Sequence, residues 1–259
     1  MKITCLVENT TQIDTIEYEH GLSLFIEHNG LKILFDMGQT ELFYENAQKL
    51  GIDLRDVDFA VLSHGHYDHG GGLKKFLEIN NSAPVYLNMY AFEPHYNGTE
   101  KYIGLDVSLK NNDRLIFTDD KFKITDGITL FSCNNKIQQH YLGSCGLNMV
   151  ENGIIVPDDF RHEQYLLIED NGKKILISGC SHKGVMDITE WFDPDVLIGG
   201  FHYSKFKLDG KLAGYAKFLD SFKTKYYTCH CTGIEPDEEL KAIMGDRIDY
   251  LSTGSQIKI

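Results

Sequence analysis

Apolar positions along this 259-residue chain follow two periods that alternate with each other. Period two comes first: residues 2–8, 22–28 and 31–36 read as strands, the last two joined by Asn29-Gly30, a pair suited to the positive φ of a two-residue hairpin turn. Residues 41–50 then place Leu42, Phe43 and Ala47 at helical spacing and stop at Gly51. A buried strand over 58–62, a helix over 73–79 and a strand over 84–88 continue the alternation. Next comes the stretch 89–96, which reads as a short helix packing its aromatics, the alternative being that the aromatics and His95 lie near a substrate cleft. Short strands over 114–117, 121–124 and 128–131, separated by Asp-containing turns, start a second sheet. A second hairpin spans 164–169 and 173–178 around Asn171-Gly172. Beyond it lie a helix over 185–192, a buried strand over 196–198, an amphipathic helix over 212–222 and a strand over 225–229. Between Cys133 and Glu163 periodicity is lost to repeated Asn, Gly and Pro, and loops of that length are usually functional or mobile. Two readings stand for it: a substrate-facing lid, or a contact in a homo-oligomer.

The chemistry collects where strands end. Ala60-Val-Leu-Ser-His64-Gly-His66-Tyr-Asp68-His69-Gly-Gly-Gly runs from an apolar strand into a turn with three imidazoles and a carboxylate, a crowding that a core does not need and a metal ion does. His64 and His66, two apart in an extended segment, point the same way and can grip one ion. Asp68 and His69 come as the chain turns and are re-aimed at a neighbouring position for a second. The glycines at 70–72 let the backbone pass close by on its way into the next helix.

His64-x-His66-x-Asp68-His69 after an apolar strand resembles the signature of the metallo-β-lactamase-fold superfamily of metal-dependent hydrolases, and other stretches match in order over nearly the whole chain. Gly179-Cys180-Ser181-His182 and His230-Cys231-Thr232-Gly233 are similar to a branch that includes archaeal dihydropterin ribofuranosyl-aminobenzene phosphate synthases. The resemblance implies a four-layer αββα sandwich, two mixed β-sheets flanked by helices, formed by residues 1–259 as one domain. It further implies two divalent ions that activate a water for hydrolysis of a small ester or phosphoester-like substrate. Zinc suits the His/Asp/Cys set, and iron or manganese suits its imidazoles and carboxylates. Asp68 would bind metal and orient the nucleophile, and His230 resembles the last ligand of the superfamily. Asp36 occupies the place of an aspartate that sits beneath the metal site and orients it. Cys180 stands where most members have a bridging aspartate, and a thiolate is a competent zinc ligand. The superfamily expects a lone histidine near His162, a place commonly acidic in the narrower branch, so His182 is preferred as the third ligand. His202, at a strand end, is a candidate for substrate binding or proton transfer. Lys183 reads as an exposed loop lysine, or else as a partner for an anionic substrate. Cys229 and Cys231 fall on the strand face opposite His230 and read as packed.

Composition narrows the partners. Hydrophobic residues at 42% and charged ones at 24% are globular values, and a formal charge of −13 argues against a nucleic-acid backbone. No run is long and apolar enough for a membrane span or signal peptide, which, with six cysteines in a chain of this size, points to the reducing cytoplasm and no structural disulfide. Two rivals to a hydrolase are a synthase acting on a phosphorylated pterin precursor and a non-catalytic protein whose loops a metal holds together.

Overall fold

Asn29 and Gly30 take φ of 48° and 82°, and Asn171 and Gly172 take 49° and 79°, so both hairpins turn as their Asn-Gly pairs dictate. The computed structural model describes residues 1–205 and 210–259. Its chain divides into two compact units: Met1–Asp119 with Gly146–Gln164 and Ser252–Ile259, and Asp120–Cys145 with Tyr165–Leu251.

The first unit is built on a seven-stranded mixed sheet in the order Gln256–Lys258, Lys2–Val7, Ser23–His28, Leu31–Phe35, Phe59–Val61, Val85–Asn88, Leu115–Thr118. Pairing is antiparallel as far as Leu31–Phe35 and parallel beyond it. Helices Leu42–Lys49 and Leu73–Ile79 supply Phe43, Ala47, Leu73 and Phe76 to a core shared with Leu6, Phe25, Leu34, Ala60 and Val85 of the strands. Each fully buried large apolar side chain there contributes roughly 1.5–3 kcal/mol relative to exposure.

The second unit repeats the plan. Its sheet runs Ile248–Tyr250, Lys225–Thr228, Val196–Gly199, Lys173–Ile177, Tyr165–Asp170, Ile128–Phe131, Lys121–Thr125, parallel over the first four strands and antiparallel over the rest. Helices Val185–Phe192, Lys211–Asp220 and Ile234–Met244 pack on it through Val185, Ile188, Leu212, Ala216, Leu219 and Leu240. Among the described residues no helix is long and apolar enough to cross a membrane.

Two expectations about local structure fail. Part of the segment expected to lack periodicity is a hairpin, Leu147–Glu151 with Ile154–Pro157, turning on Asn152 and Gly153 at φ of 50° and 80°. The stretch expected as a short helix ends instead in strand His95–Asn97, which pairs with Leu147–Glu151 and with Lys101–Tyr102 to complete a four-stranded sheet of the first unit. Ile154 and Ile155 are exposed, so the alternation that marks a half-buried strand is missing there.

Candidate metal centre

In each unit the ligand-type residues lie at the carboxyl ends of parallel strands, where layered α/β folds collect ligand sites. In the first unit Leu31–Phe35 ends at Asp36, which is fully buried and takes φ of 58°. One carboxylate oxygen, Oδ1, accepts the Ser63 backbone N–H at 2.7 Å; Oδ2 accepts Ser63 Oγ–H at 2.7 Å and His69 Nδ1–H at 2.7 Å. Because the Ser63 proton goes to Asp36, its oxygen accepts from His64 Nδ1, 2.8 Å away. Asp36 thus fixes two tautomers, directly for His69 and through Ser63 for His64, and leaves Nε2 as the lone-pair nitrogen of each ring.

The strand Phe59–Val61, buried along its length, delivers this cluster. Ring centroids of His64 and His66 lie 4.6 Å apart, and those of His64 and His69 4.1 Å apart, so the spacing of the motif does bring its imidazoles together. Asp68 Oδ2 is 3.9 Å from His69 Nε2 and 3.1 Å from Nε2 of the exposed His20. Burial drives the His66 pKa well below the ordinary histidine value, helped by the His162 and His95 imidazoles, which keeps that ring neutral and competent to ligate. Burial also lowers His69, but the carboxylates of Asp36 and Asp68 outweigh it and its pKa is raised. The glycines after the motif provide closeness: a Cβ on Gly71 would fall 2.1 Å from the Gln39 carbonyl oxygen, and one on Gly72 2.3 Å from that of Met37.

Residues outside the ligand set expected from the sequence join this unit's cluster. His95 and Asp158 are buried and bonded, Nδ1 to Oδ2, at 2.8 Å. His162 accepts the Gly65 N–H at Nδ1 over 2.9 Å, which puts its own proton on Nε2, 3.4 Å from Asp158 Oδ2. One ligand-type atom from each of His66, His95, Asp158 and His162 lies within 4.8 Å of the others. Glu163, fully buried, is among the carboxylates whose charge raises His69. The signal for His95 and Asp158 was no more than two polar residues beside aromatic and turn residues.

The second unit has its own donor set. Cys180 follows strand Lys173–Ile177, and its sulfur, a ring nitrogen of His230 and the sulfur of Cys231 lie within 4.8 Å of one another, all buried. Between Cys180 and His182, Ser181 takes φ of 54°. Within the unit His182 neighbours His202, with ring centroids 4.6 Å apart. The reading of Cys231 as packed away from His230 is corrected, because the strand stops at Thr228 and His230–Thr232 forms a 3₁₀ turn with His230 at φ of 50°. The Cys231 sulfur accepts the His202 N–H at 3.3 Å. Lys183 is neither an exposed loop lysine nor placed to meet a substrate: it is buried, and its ammonium donates to the Ser132 carbonyl at 2.6 Å and to Asn134 Oδ1 at 2.8 Å.

Imidazoles whose Nδ1 protons are committed to carboxylate or hydroxyl oxygens, beside carboxylates and thiols, are the donor chemistry of a divalent transition-metal ion. The pattern described as the metallo-beta-lactamase superfamily matches residues 18–213. This chain belongs to that superfamily and has its mixed α/β fold, which implies a divalent-metal-dependent enzyme. It is 31% identical over 248 residues to an uncharacterized protein of Methanocaldococcus jannaschii, covering 90% of this chain and 91% of that one. It is 30% identical over 269 residues to the 7,8-dihydropterin-6-methyl-4-(beta-D-ribofuranosyl)-aminobenzene-5'-phosphate synthase of the same organism, covering 93% and 90%. Among solved structures, Tm1679, a metal-dependent hydrolase of the beta-lactamase superfamily, superposes with a TM-score of 0.84 at 28% identity over 100% of this chain and 99% of that one.

Proposed function

We propose that the protein is a cytoplasmic metal-dependent hydrolase that cleaves a small ester or phosphoester-like molecule. The observation that carries the reading is the Asp36 carboxylate, which presets the tautomers of His69 and, through Ser63, of His64. Such preorganisation serves a metal ligand and is wasted on a packed histidine. When bound, a divalent ion lowers the pKa of its water and polarises the bond under attack. His64, His66, Asp68 and His69 hold metal in the first unit; Cys180, His182 and His230 do so in the second. Two ions are proposed, with zinc the best match to the combined imidazole, carboxylate and thiolate donors and iron or manganese the alternatives. Asp68 also orients the attacking water, its carboxylate lying 3.9 Å from His69 Nε2. His202 binds substrate or carries a proton, held in place by its backbone N–H on Cys231.

A second reading is favoured by one observation, the 30% identity to an archaeal synthase over 93% of the chain. There the same donors serve a transfer reaction on a phosphorylated pterin precursor. The test is a screen of carboxylic esters, phosphodiesters and phosphomonoesters with metal-loaded, chelated and reconstituted protein, beside product analysis with a dihydropterin and a ribosyl phosphate. Metal-dependent ester cleavage is the expected result. Product from the pterin pair without ester cleavage would transfer the assignment to the synthase reading, and a full metal complement with neither would leave a metal-stabilised binding protein.

A further inference from the structure

We propose that His95 is a further metal ligand, joining His66 on the ion of the first unit, with Asp158 as the residue that sets its tautomer. The proposal rests on the metal centre proposed above and extends its ligand set. It begins from topology: Met149 stands opposite His95 across the strand pair, and the chain that leaves the partner hairpin at Pro157 places Asp158 at once against the His95 ring. Residues 63 apart in sequence are thereby bonded at 2.8 Å in a core where both are fully buried.

The bond commits the His95 proton to Nδ1, so Nε2 carries the lone pair. That Nε2 is buried and has no hydrogen-bond partner among the described residues. An orphaned acceptor in a core is costly and rare, and the same side chain carries the carboxylate couple that fixes metal-binding imidazoles. Asp36 and His69 repeat that couple at 2.7 Å within the same unit. Two imidazoles sharing one tetrahedral ion at about 2 Å would have ring centroids about 5 Å apart. His66 and His95 meet this condition, with centroids 5.5 Å apart and ring planes at 80°.

His162 meets that spacing with His66, at 5.1 Å and 58°, but not with His95. Its ring lies 3.9 Å from that of His95 at 38°, a tilted contact too close for those two to be donors on one ion. With Nδ1 accepting from Gly65 and the proton on Nε2 turned to Asp158, it presents no lone pair beyond the one Gly65 occupies. Asp158 Oδ1 accepts the Phe160 N–H at 2.8 Å, so the carboxylate is anchored on both oxygens. In this arrangement His162 supports Asp158, Asp158 aims His95, and His95 supplies the nitrogen.

The cobalt(II)-loaded full chain tests it. In that form, ring N–H protons of ligating histidines move far outside the ordinary proton spectrum. His95→Gln keeps a side chain able to bond Asp158 but has no imidazole. It should remove one shifted ring N–H signal and weaken cobalt affinity tenfold or more, with circular dichroism unchanged. Asp158→Asn should weaken affinity by roughly 10-fold to 100-fold, as loss of a ligand's hydrogen-bond partner does. Wild-type signal count and affinity in folded His95→Gln would overturn the proposal. His64→Ala is the control for the underlying centre: if it too binds cobalt as the wild type does, the metal-centre reading fails, whereas loss there with no change in His95→Gln sinks only the added ligand.

Discussion

The two units share a strand plan and hold their donors differently. In both, an antiparallel hairpin leads into parallel strands whose carboxyl ends carry histidines. In the first, buried carboxylates do the aiming: Asp36 on His69 and Ser63, Asp158 on His95 and His162. In the second, the turns that carry Cys180, His202 and His230 depend on backbone in the left-handed region, with Ser181, His202 and His230 at φ of 54°, 57° and 50°, a strain the first unit shares at Asp36 with 58°. Non-glycine residues persist in that region only where the surroundings over-determine them, and such strain gathers at functional sites. A carboxylate can be deleted at large cost, while a strained φ can be relieved at a small gain, so Asp36→Ala in the first unit and His202→Gly in the second should answer with opposite signs.

The largest effect expected is at Asp36. Asp36→Ala leaves the Ser63 N–H and hydroxyl and the His69 ring proton without their acceptor, all buried. Denaturant melts of the metal-free variant should show a loss of about 3–5 kcal/mol, as when one partner of a buried ion pair is removed. Metal titration should show affinity in the first unit reduced roughly 10-fold to 100-fold.

A smaller effect follows from the raised pKa of His69 in the metal-free protein. A ligand must be neutral to bind, so protons compete with metal below that pKa, which lies above the ordinary histidine value of about 6.5. The sign for stability runs with it: a raised histidine pKa stabilises the metal-free fold fully below about 6.5, and the contribution is lost as pH rises through the folded value. Metal affinity measured between about pH 6 and 8 should fall toward acid, by up to about tenfold per unit. In Asp36→Asn, without the charge that raises His69, the inflection should move down; an unmoved inflection would detach the proton competition from this carboxylate.

In the second unit the thiols are the more informative groups. Bound to metal, Cys180 should resist alkylation, and chelation should make it reactive, because coordination keeps the sulfur deprotonated but occupied. Mass analysis of alkylated peptides before and after chelation reads this directly. Equal labelling in both states would take Cys180 out of the donor set. The smallest effect belongs to backbone: His202→Gly should stabilise the fold by up to about 1 kcal/mol by removing a left-handed non-glycine residue, while abolishing whatever proton or substrate role the imidazole has. A melt that shows net destabilisation would mean that the ring's contacts outweigh the strain.

Local signals were legible in the sequence and paired ones were not. The Asn29-Gly30 and Asn171-Gly172 hairpins announce themselves in two residues, and His64 to His69 in six. Helices Leu73–Ile79 and Val185–Phe192 fall where the apolar spacing put them. The hairpin on Asn152-Gly153 carries the same turn signal, but its second strand exposes Ile154 and Ile155 and so lacks the alternation that marks a half-buried strand. His95 and Asp158 become a couple only through the register of that missed hairpin, so nothing within reach of a short window links them. Cys231 departs from its expected place for a related reason: strand alternation ends at Thr228, and the turn that follows does not obey it.

The central claim is that His64 and His66 hold a metal ion. Elemental analysis of metal per chain, on protein purified without chelator and passed through gel filtration, tests it against His66→Ala prepared in the same way. Metal should be retained by the wild type and lost from the variant, with affinity lowered by at least the roughly 10-fold to 100-fold that follows loss of a mere supporting contact. An unchanged metal content in folded His66→Ala would contradict it.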